Sequence, residues 1–204
     1  MISIVDYGSG NLEAFKNIYK RLNIKCDVAR TPNDILKAEK LVLPGVGSFD
    51  ETMKILRDSG MIEALNEQVL EKNIPVIGIC VGMQILSKKS EEGELEGLGW
   101  IDAEVKKFDV STLNHKPHLP HMGWNTFQKE KESPILSELD YEKGFYFLHT
   151  YYFSCNNHDD ILTSTIYGQK YTSAVNNKNI FGVQFHPEKS HSNGVQLLKN
   201  FANL

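Results

Sequence analysis

The stretch from Ile74 to Leu86, IPVIGICVGMQIL, sets Cys80 between Gly78 and Gly82, after an apolar, β-branched run and before a helix-like pattern. This G-x-C-x-G has the form of a nucleophile elbow with cysteine in place of serine. Such a corner is tight, and a Cβ at either flank would meet the neighbouring strand or helix, so glycine suits both places. A thiol on the first turn of a helix faces the positive end of the dipole, which favours the thiolate. The backbone N–H of Val81 would point the same way, as one oxyanion donor. The same residues also fit a buried core cysteine, the usual fate of a free thiol.

A second group supplies a base. FGVQFHPEKS places His186 directly after a strand-like run, with Glu188 two residues on. Pro187 stiffens the link, and the i, i+2 spacing puts both side chains on one side of an extended segment. A carboxylate bound to one imidazole nitrogen sets the tautomer and leaves the other nitrogen free to work on a thiol. A third group is LPGVGSFDE (43–51), again at a strand's carboxyl end, whose Val46 and Gly47 amides are available to complete an oxyanion hole. Open parallel sheets build their sites at such strand ends.

Other motifs carry less. The 43–51 loop lacks the lysine of a phosphate loop, and GSGNLE (8–13) has Glu13 where a dinucleotide fingerprint needs its third glycine. Asn11 reads there as a helix N-cap. HKPHLPH spaces His115, His118 and His121 three apart, but without a supporting carboxylate or cysteine it makes no metal site. Its prolines read as a loop leading into MGWN, and no metal is expected. Cys26, Cys80 and Cys155 fit neither a disulfide framework nor a zinc pattern. Cys26 and Cys155 fall within strand patterns and read as inert.

The elements that must hold these groups alternate in the first half of the chain. ISIVD (2–6), IKCDVA (24–29), KLVLPG (40–45) and IPVIGI (74–79) read as strands. Between them, NLEAFKNIYKRL, a helix capped by Thr31 with Pro32 at its first position, SFDETMKILRDSG and MIEALNEQVLEKN carry helical periodicity. This β-α-β-α order implies a parallel sheet with helices on both faces. From Trp100 onward, the closely spaced runs 100–108, 123–129, 145–154, 161–168, 170–175 and 180–185 suit antiparallel hairpins, with a turn at VNNKNIFG. SNGVQLLKNFANL closes the chain as a helix. No linker or repeat divides residues 1–204, so one domain is expected.

Composition narrows the classes of function. The formal net charge is −4 and no basic block is present, so nucleic acid and anionic membranes have no electrostatic footprint. No apolar run approaches the ~20 residues that span a bilayer. The first residues read as a strand, not a signal peptide, and a cytoplasmic setting is expected.

DYGSGN, LPGVGSFDE, GICVGMQIL, SEEG…GLGWI, PHMGWN, FYFLHTYY and GVQFHPEKS together resemble the triad-type (class I) glutamine amidotransferases. Within these, the chain is most similar to the amidotransferase subunits of imidazole glycerol phosphate synthases. The resemblance implies an α/β fold: a flavodoxin-like open, mostly parallel sheet with helices on both faces and additional antiparallel strands in the C-terminal half. It implies that Cys80, His186 and Glu188 are catalytic, and that Val81, Val46 and Gly47 hold the oxyanion. Gln84, His149, Thr150 and Tyr151 would surround the substrate, L-glutamine. Asn11, Trp124, Tyr146 and Lys189 would face the partner, a (β/α)8-barrel cyclase forming a heterodimer with it.

The implied reaction hydrolyses glutamine to glutamate and ammonia through a cysteine thioester, with no cofactor. The ammonia passes to the cyclase, which makes imidazole glycerol phosphate and AICAR in histidine biosynthesis. The alternative is a paralogous glutaminase serving another synthetase, such as a sugar amidotransferase of surface-polysaccharide synthesis. A Cys-His peptidase or γ-glutamyl hydrolase would use the same elbow, but Glu188 and PHMGWN argue against it. In the resembled family the oxyanion loop stays unformed until the partner and its ligand bind, so the PGVG amides are expected to point away from Cys80 in the free chain.

Overall fold

A computed structural model of the protein describes residues 1–113 and 118–204. In chain order the first half carries β1 (Ile2–Val5), α1 (Leu12–Arg21), β2 (Cys26–Ala29), α2 (Pro32–Ile35), β3 (Lys40–Gly45), α3 (Phe49–Asp58), α4 (Ile62–Asn66), β4 (Val76–Cys80) and α5 (Val81–Gln84). The second half carries β5 (Lys89–Ser90), β6 (Ala103–Lys107), β7 (His121–Asn125), β8 (Gln128–Lys129), β9 (Phe145–His149) and β10 (Tyr151–Cys155). It ends with β11 (Ile161–Tyr167), β12 (Gln169–Asn177), β13 (Ile180–Val183) and α6 (His191–Ala202).

The apolar runs of the first half, joined by β13 from the second, form one parallel block in the order β2-β1-β3-β4-β13. All residues of β1, β4 and β13 are buried, as strands covered on both faces require. Antiparallel pairing then extends the sheet from β13 through β12 and β10 to β6, with β11 branching off β12 and β8 paired to β11. A separate β7–β9 pair lies beside it. This is the α/β, flavodoxin-like arrangement read from the sequence. Gly45 stands opposite Cys80, and Gly182 opposite Gly78. The carboxyl ends of β3, β4 and β13 therefore lie side by side, which gathers the three motifs. Among the described residues no helix is long and apolar enough to cross a membrane.

Helix starts follow the sequence signals. The Asn11 side chain accepts from the Ala14 amide, and Thr31 and Asp34 form a reciprocal capping box ahead of Pro32. VNNKNIFG turns between β12 and β13, with Lys178 at φ 50°.

Four expectations change. The run 145–154 breaks at Thr150, so β9 pairs with β7 while β10 joins β6 and β12. The break is held by His149, whose Nδ1–H donates to the Tyr151 carbonyl at 2.7 Å. The run 123–129 likewise splits, into the end of β7 and β8. The periodic stretch 61–73 is α-helical only to Asn66 and continues as a π-helical turn over Glu67–Glu71. There the buried Gln68 amide donates to the Ile35 carbonyl and Asn66 accepts from the Trp100 indole, so tertiary bonds set the winding. The segment after His186 is a 3-10 turn, Pro187–Lys189, rather than extended.

Candidate active site

Cys80 ends β4 and caps the four-residue α5, at φ 56° and ψ −115°. A side-chain-bearing residue rarely adopts that conformation, and holding it costs roughly 1–3 kcal/mol. Both flanking glycines are required by close approach. A Cβ on Gly78 would lie 2.3 Å from the Gly82 carbonyl oxygen, and one on Gly82 would lie 1.9 Å from the Leu43 carbonyl oxygen. The corner is thus packed against β3 and its own first turn, and the strain falls on the thiol-bearing residue.

His186 follows the end of β13 by three residues. Its backbone amide donates to the Tyr146 carbonyl at 2.8 Å, and the Ser190 hydroxyl donates to its carbonyl at 2.6 Å. The Nδ1–H donates to Glu188 Oε1 at 2.8 Å, with both side chains only 5% exposed. Although the segment is a 3-10 turn, the expected His–Glu pair is made. Burial acts to lower the His186 pKa, but the Cys80 sulfur and the Glu188 carboxylate outweigh it and push the value up to about 10. Nε2 has no hydrogen-bond partner among the described residues.

Cys80, Val81, Gln84, His149, Thr150, Tyr151, His186, Lys189, Val46 and Gly47 all line one cavity of about 300 Å³. The expected pocket residues are therefore brought together, with Glu188 behind His186. Gln84 is buried and faces inward: its Nε2 donates to the Tyr151 carbonyl at 3.1 Å and to Gln184 Oε1 at 3.0 Å. His149 is also buried, and burial, with help from neighbouring His121, lowers its pKa to about 3, so it stays neutral. His121 Nδ1 lies 3.1 Å from His149 Nε2, and Tyr171 hydroxyl closes the triangle.

The 43–51 loop is clasped from β1's side. The Val46 amide donates to Ser9 Oγ at 3.0 Å, the Ser9 hydroxyl lies 3.0 Å from the Val46 carbonyl, and the buried Tyr7 hydroxyl donates to the Pro44 carbonyl. The Val46 N–H is therefore committed to Ser9, the arrangement expected for a free chain. Gly47 holds φ 99°, which only glycine adopts freely.

Three of the four residues expected at the partner face cluster. Trp124 and Tyr146 are cross-strand neighbours on β7 and β9, with rings 6.5 Å apart, and Lys189 Nζ lies 5.7 Å from the Tyr146 ring centre. Trp124 is 47% exposed and stacks on His191. Asn11 is not in this cluster and does not line the cavity; it is the cap of α1.

Several site residues escaped sequence reasoning. Glu92 lines the cavity and accepts from the Phe49 amide at 2.8 Å; it sits in the SEEG stretch, which gave the motif but no role. Ser9, Tyr7 and Gln184 lie within quoted motifs too, and only tertiary contacts reveal their use. Cys26 and Cys155 fit the inert reading: burial pushes their thiols up to about 11 and about 12. Of the three spaced histidines, His115 lies outside the described residues, and His121 belongs to β7, stacked on Tyr167 and Phe147, rather than to a loop.

Comparison with known proteins places this geometry in context. The sequence model of the family described as Glutamine amidotransferase class-I matches residues 3–204. The chain is 48% identical to imidazole glycerol phosphate synthase subunit HisH of Leptospira interrogans over 204 residues, covering 100% of both chains. It is 48% identical to the subunit HisH of Bdellovibrio bacteriovorus, again over 100% of both, and 45% identical to the subunit HisH 2 of Methanococcus maripaludis, over 98% of both. Among solved structures, one described as a glutamine amidotransferase aligns with TM-score 0.73 at 18% identity, covering 100% of this chain and 99% of that one. PurLQS from Thermotoga maritima aligns with TM-score 0.72 at 16% identity, covering 99% and 97%. At these identities the structural likeness speaks for the fold.

Proposed function

This chain belongs to the class-I glutamine amidotransferases, and from that premise we propose that it is the glutaminase subunit of an imidazole glycerol phosphate synthase. The observation that carries the assignment is full-length similarity, at 45 to 48% identity, to relatives bearing that name. Its partner is then a (β/α)8-barrel cyclase of histidine biosynthesis, docked over Trp124, Tyr146 and Lys189, with Asn11 as a further contact outside that cluster. The whole of 1–204 acts as one amidotransferase domain.

In this reading His186 Nε2 takes the Cys80 proton, and the sulfur attacks the side-chain amide carbon of glutamine. The tetrahedral oxyanion is held by the Val81 amide and, once the loop turns, by the Val46–Gly47 backbone; one such donor is worth ~2.7–4 kcal/mol. The intermediate collapses as His186 returns the proton to the leaving nitrogen, giving ammonia and a γ-glutamyl thioester. Water, deprotonated by His186, cleaves the thioester to glutamate and restores the thiol. Glu188 holds the imidazole in the required tautomer. The substrate is a zwitterion, so its ammonium needs an acceptor. Glu92 and the Gln84 Oε1 supply that chemistry in the cavity, which His149, Thr150 and Tyr151 also line.

The test is glutamate release from glutamine by the chain alone and with the histidine-pathway cyclase and its ribonucleotide ligand. Stimulation by the cyclase, absent in Cys80→Ala, is expected. A Cys80-dependent rate that the cyclase leaves unchanged would contradict the pathway and point to another synthetase.

A further inference from the structure

The Gln184 side chain is fully buried at the end of β13, two residues before His186, and its carboxamide has a fixed direction. The Tyr151 carbonyl can only accept, so the Gln84 atom facing it at 3.1 Å is the amide nitrogen. That same nitrogen gives its second proton to Gln184 Oε1 at 3.0 Å. With its oxygen so engaged, Gln184 turns its NH2 the other way, toward Cys80 Sγ at 3.8 Å. The chain of donors thus runs from a backbone carbonyl, through two buried amides, to the reacting sulfur.

The sulfur has a competing neighbour. The Leu148 carbonyl oxygen lies 3.9 Å from Sγ and accepts from the thiol S–H. A carbonyl favours the protonated sulfur, whereas an N–H donor favours the thiolate. Loss of the proton to His186 Nε2 leaves the electron pair on sulfur facing the Leu148 oxygen; the His186 imidazolium supplies a countercharge, and a donor to the sulfur itself offsets that oxygen. Gln184 is the buried neutral side chain that donates to it.

We propose that Gln184 is a further catalytic residue of this site: its carboxamide, oriented by Gln84, donates to the Cys80 thiolate and holds the nucleophile charged before glutamine is attacked. The proposal rests on the glutaminase reading for its consequence in turnover, but not for its direct readout. It also gives Gln84 a second role. A Gln84 side chain that turns over, or is pulled toward substrate, releases the Gln184 amide, so occupancy of the pocket is coupled to the state of the sulfur.

The experiment follows carbamidomethylation of Cys80 by iodoacetamide across pH, read by mass spectrometry of the Cys80 peptide so that Cys26 and Cys155 do not interfere. Gln184→Met keeps the volume and removes the donor. Its rate–pH midpoint is expected to move up by roughly one unit, as for loss of a hydrogen bond to a charged group. In turnover, kcat is expected to fall about tenfold with KM within about twofold. A midpoint in Gln184→Met equal to that of the unmodified chain overturns the proposal, even if glutamine is hydrolysed. A shifted midpoint in a chain that never releases glutamate supports the donor and instead overturns the glutaminase reading.

Should the variant fold poorly, the unmodified chain gives the second measurement. The Gln184 side-chain amide proton resonance is expected to titrate with the same midpoint as Cys80 alkylation and to lose that titration in Cys80→Ala. An amide resonance that does not follow the thiol overturns the proposal.

Discussion

Val46 and Ser9 are joined twice: the Val46 amide donates to the Ser9 hydroxyl, and that hydroxyl lies 3.0 Å from the Val46 carbonyl. The Val46 N–H and C=O belong to the two peptide planes on either side of its Cα, so neither plane can turn its N–H toward Cys80 without breaking the clasp. Ser9→Ala removes both contacts. Since one such hydrogen bond contributes about 1 kcal/mol, cyclase-independent glutamate release is expected to rise roughly five- to tenfold. The stimulated rate should change little. A basal rate unchanged or reduced in Ser9→Ala would show that the clasp does not restrain the loop.

In the proposed mechanism Glu188 acts only through His186, its hydrogen-bond partner. In Glu188→Gln the amide can present either a donor or an acceptor to Nδ1, so the tautomer is no longer set, and of the two groups that raise the imidazole pKa, Cys80 and Glu188, the second has lost its charge. A fall in kcat of roughly 10³–10⁴ is expected, by analogy with an amide replacing a triad carboxylate, with KM nearly unchanged. The imidazole should titrate at lower pH than in the unmodified chain, measurable by NMR of the His186 ring. A raised or unchanged titration would contradict the pairing.

The strained corner predicts an ordering between two inactive variants. Cys80→Ala keeps a Cβ at φ 56°, whereas Cys80→Gly relieves it. Urea denaturation should find Cys80→Gly the more stable by about 1 kcal/mol. Gly82→Ala should be strongly destabilised, because its Cβ would meet the Leu43 carbonyl of β3 at 1.9 Å.

His149 gives a pH signature of stability. Its folded pKa, near 3, lies below the unfolded value of about 6.5, so between them the unfolded chain binds the extra proton. Its contribution is complete above about pH 6.5 and is lost as pH falls toward 3, at up to roughly 1.4 kcal/mol per pH unit. His149→Gln should flatten the acid limb of the stability profile by that slope. An acid limb as steep as before would show that His149 titrates freely in the folded state.

Much of this was legible in the sequence because it rests on local rules. Glycines at 78 and 82, apolar runs at strand length and a His–Glu pair two residues apart each state a local need, and the parallel order brings them together. What sequence could not show depends on contacts between distant residues. The break of 145–154 at Thr150 comes from a histidine ring reaching the Tyr151 carbonyl, and neither residue is a breaker by type. Periodicity gave a helix through 61–73, but Gln68 binds the Ile35 carbonyl at the end of α2 and Asn66 the Trp100 indole, and these bonds rewind it. Glu92 and Gln184 lay inside recognised motifs, yet their use is a matter of where an oxygen or an NH2 points.

The account turns on Cys80 as the atom that takes the glutamyl group. The direct measurement is an acid quench of the chain turning over isotopically labelled glutamine with its cyclase, followed by mass spectrometry of the cysteine peptides. The account predicts a labelled γ-glutamyl adduct on the Cys80 peptide that decays to free glutamate and is absent from Cys80→Ala. Glutamate released at full rate with no label on Cys80, or with the label on Cys26 or Cys155, would contradict it.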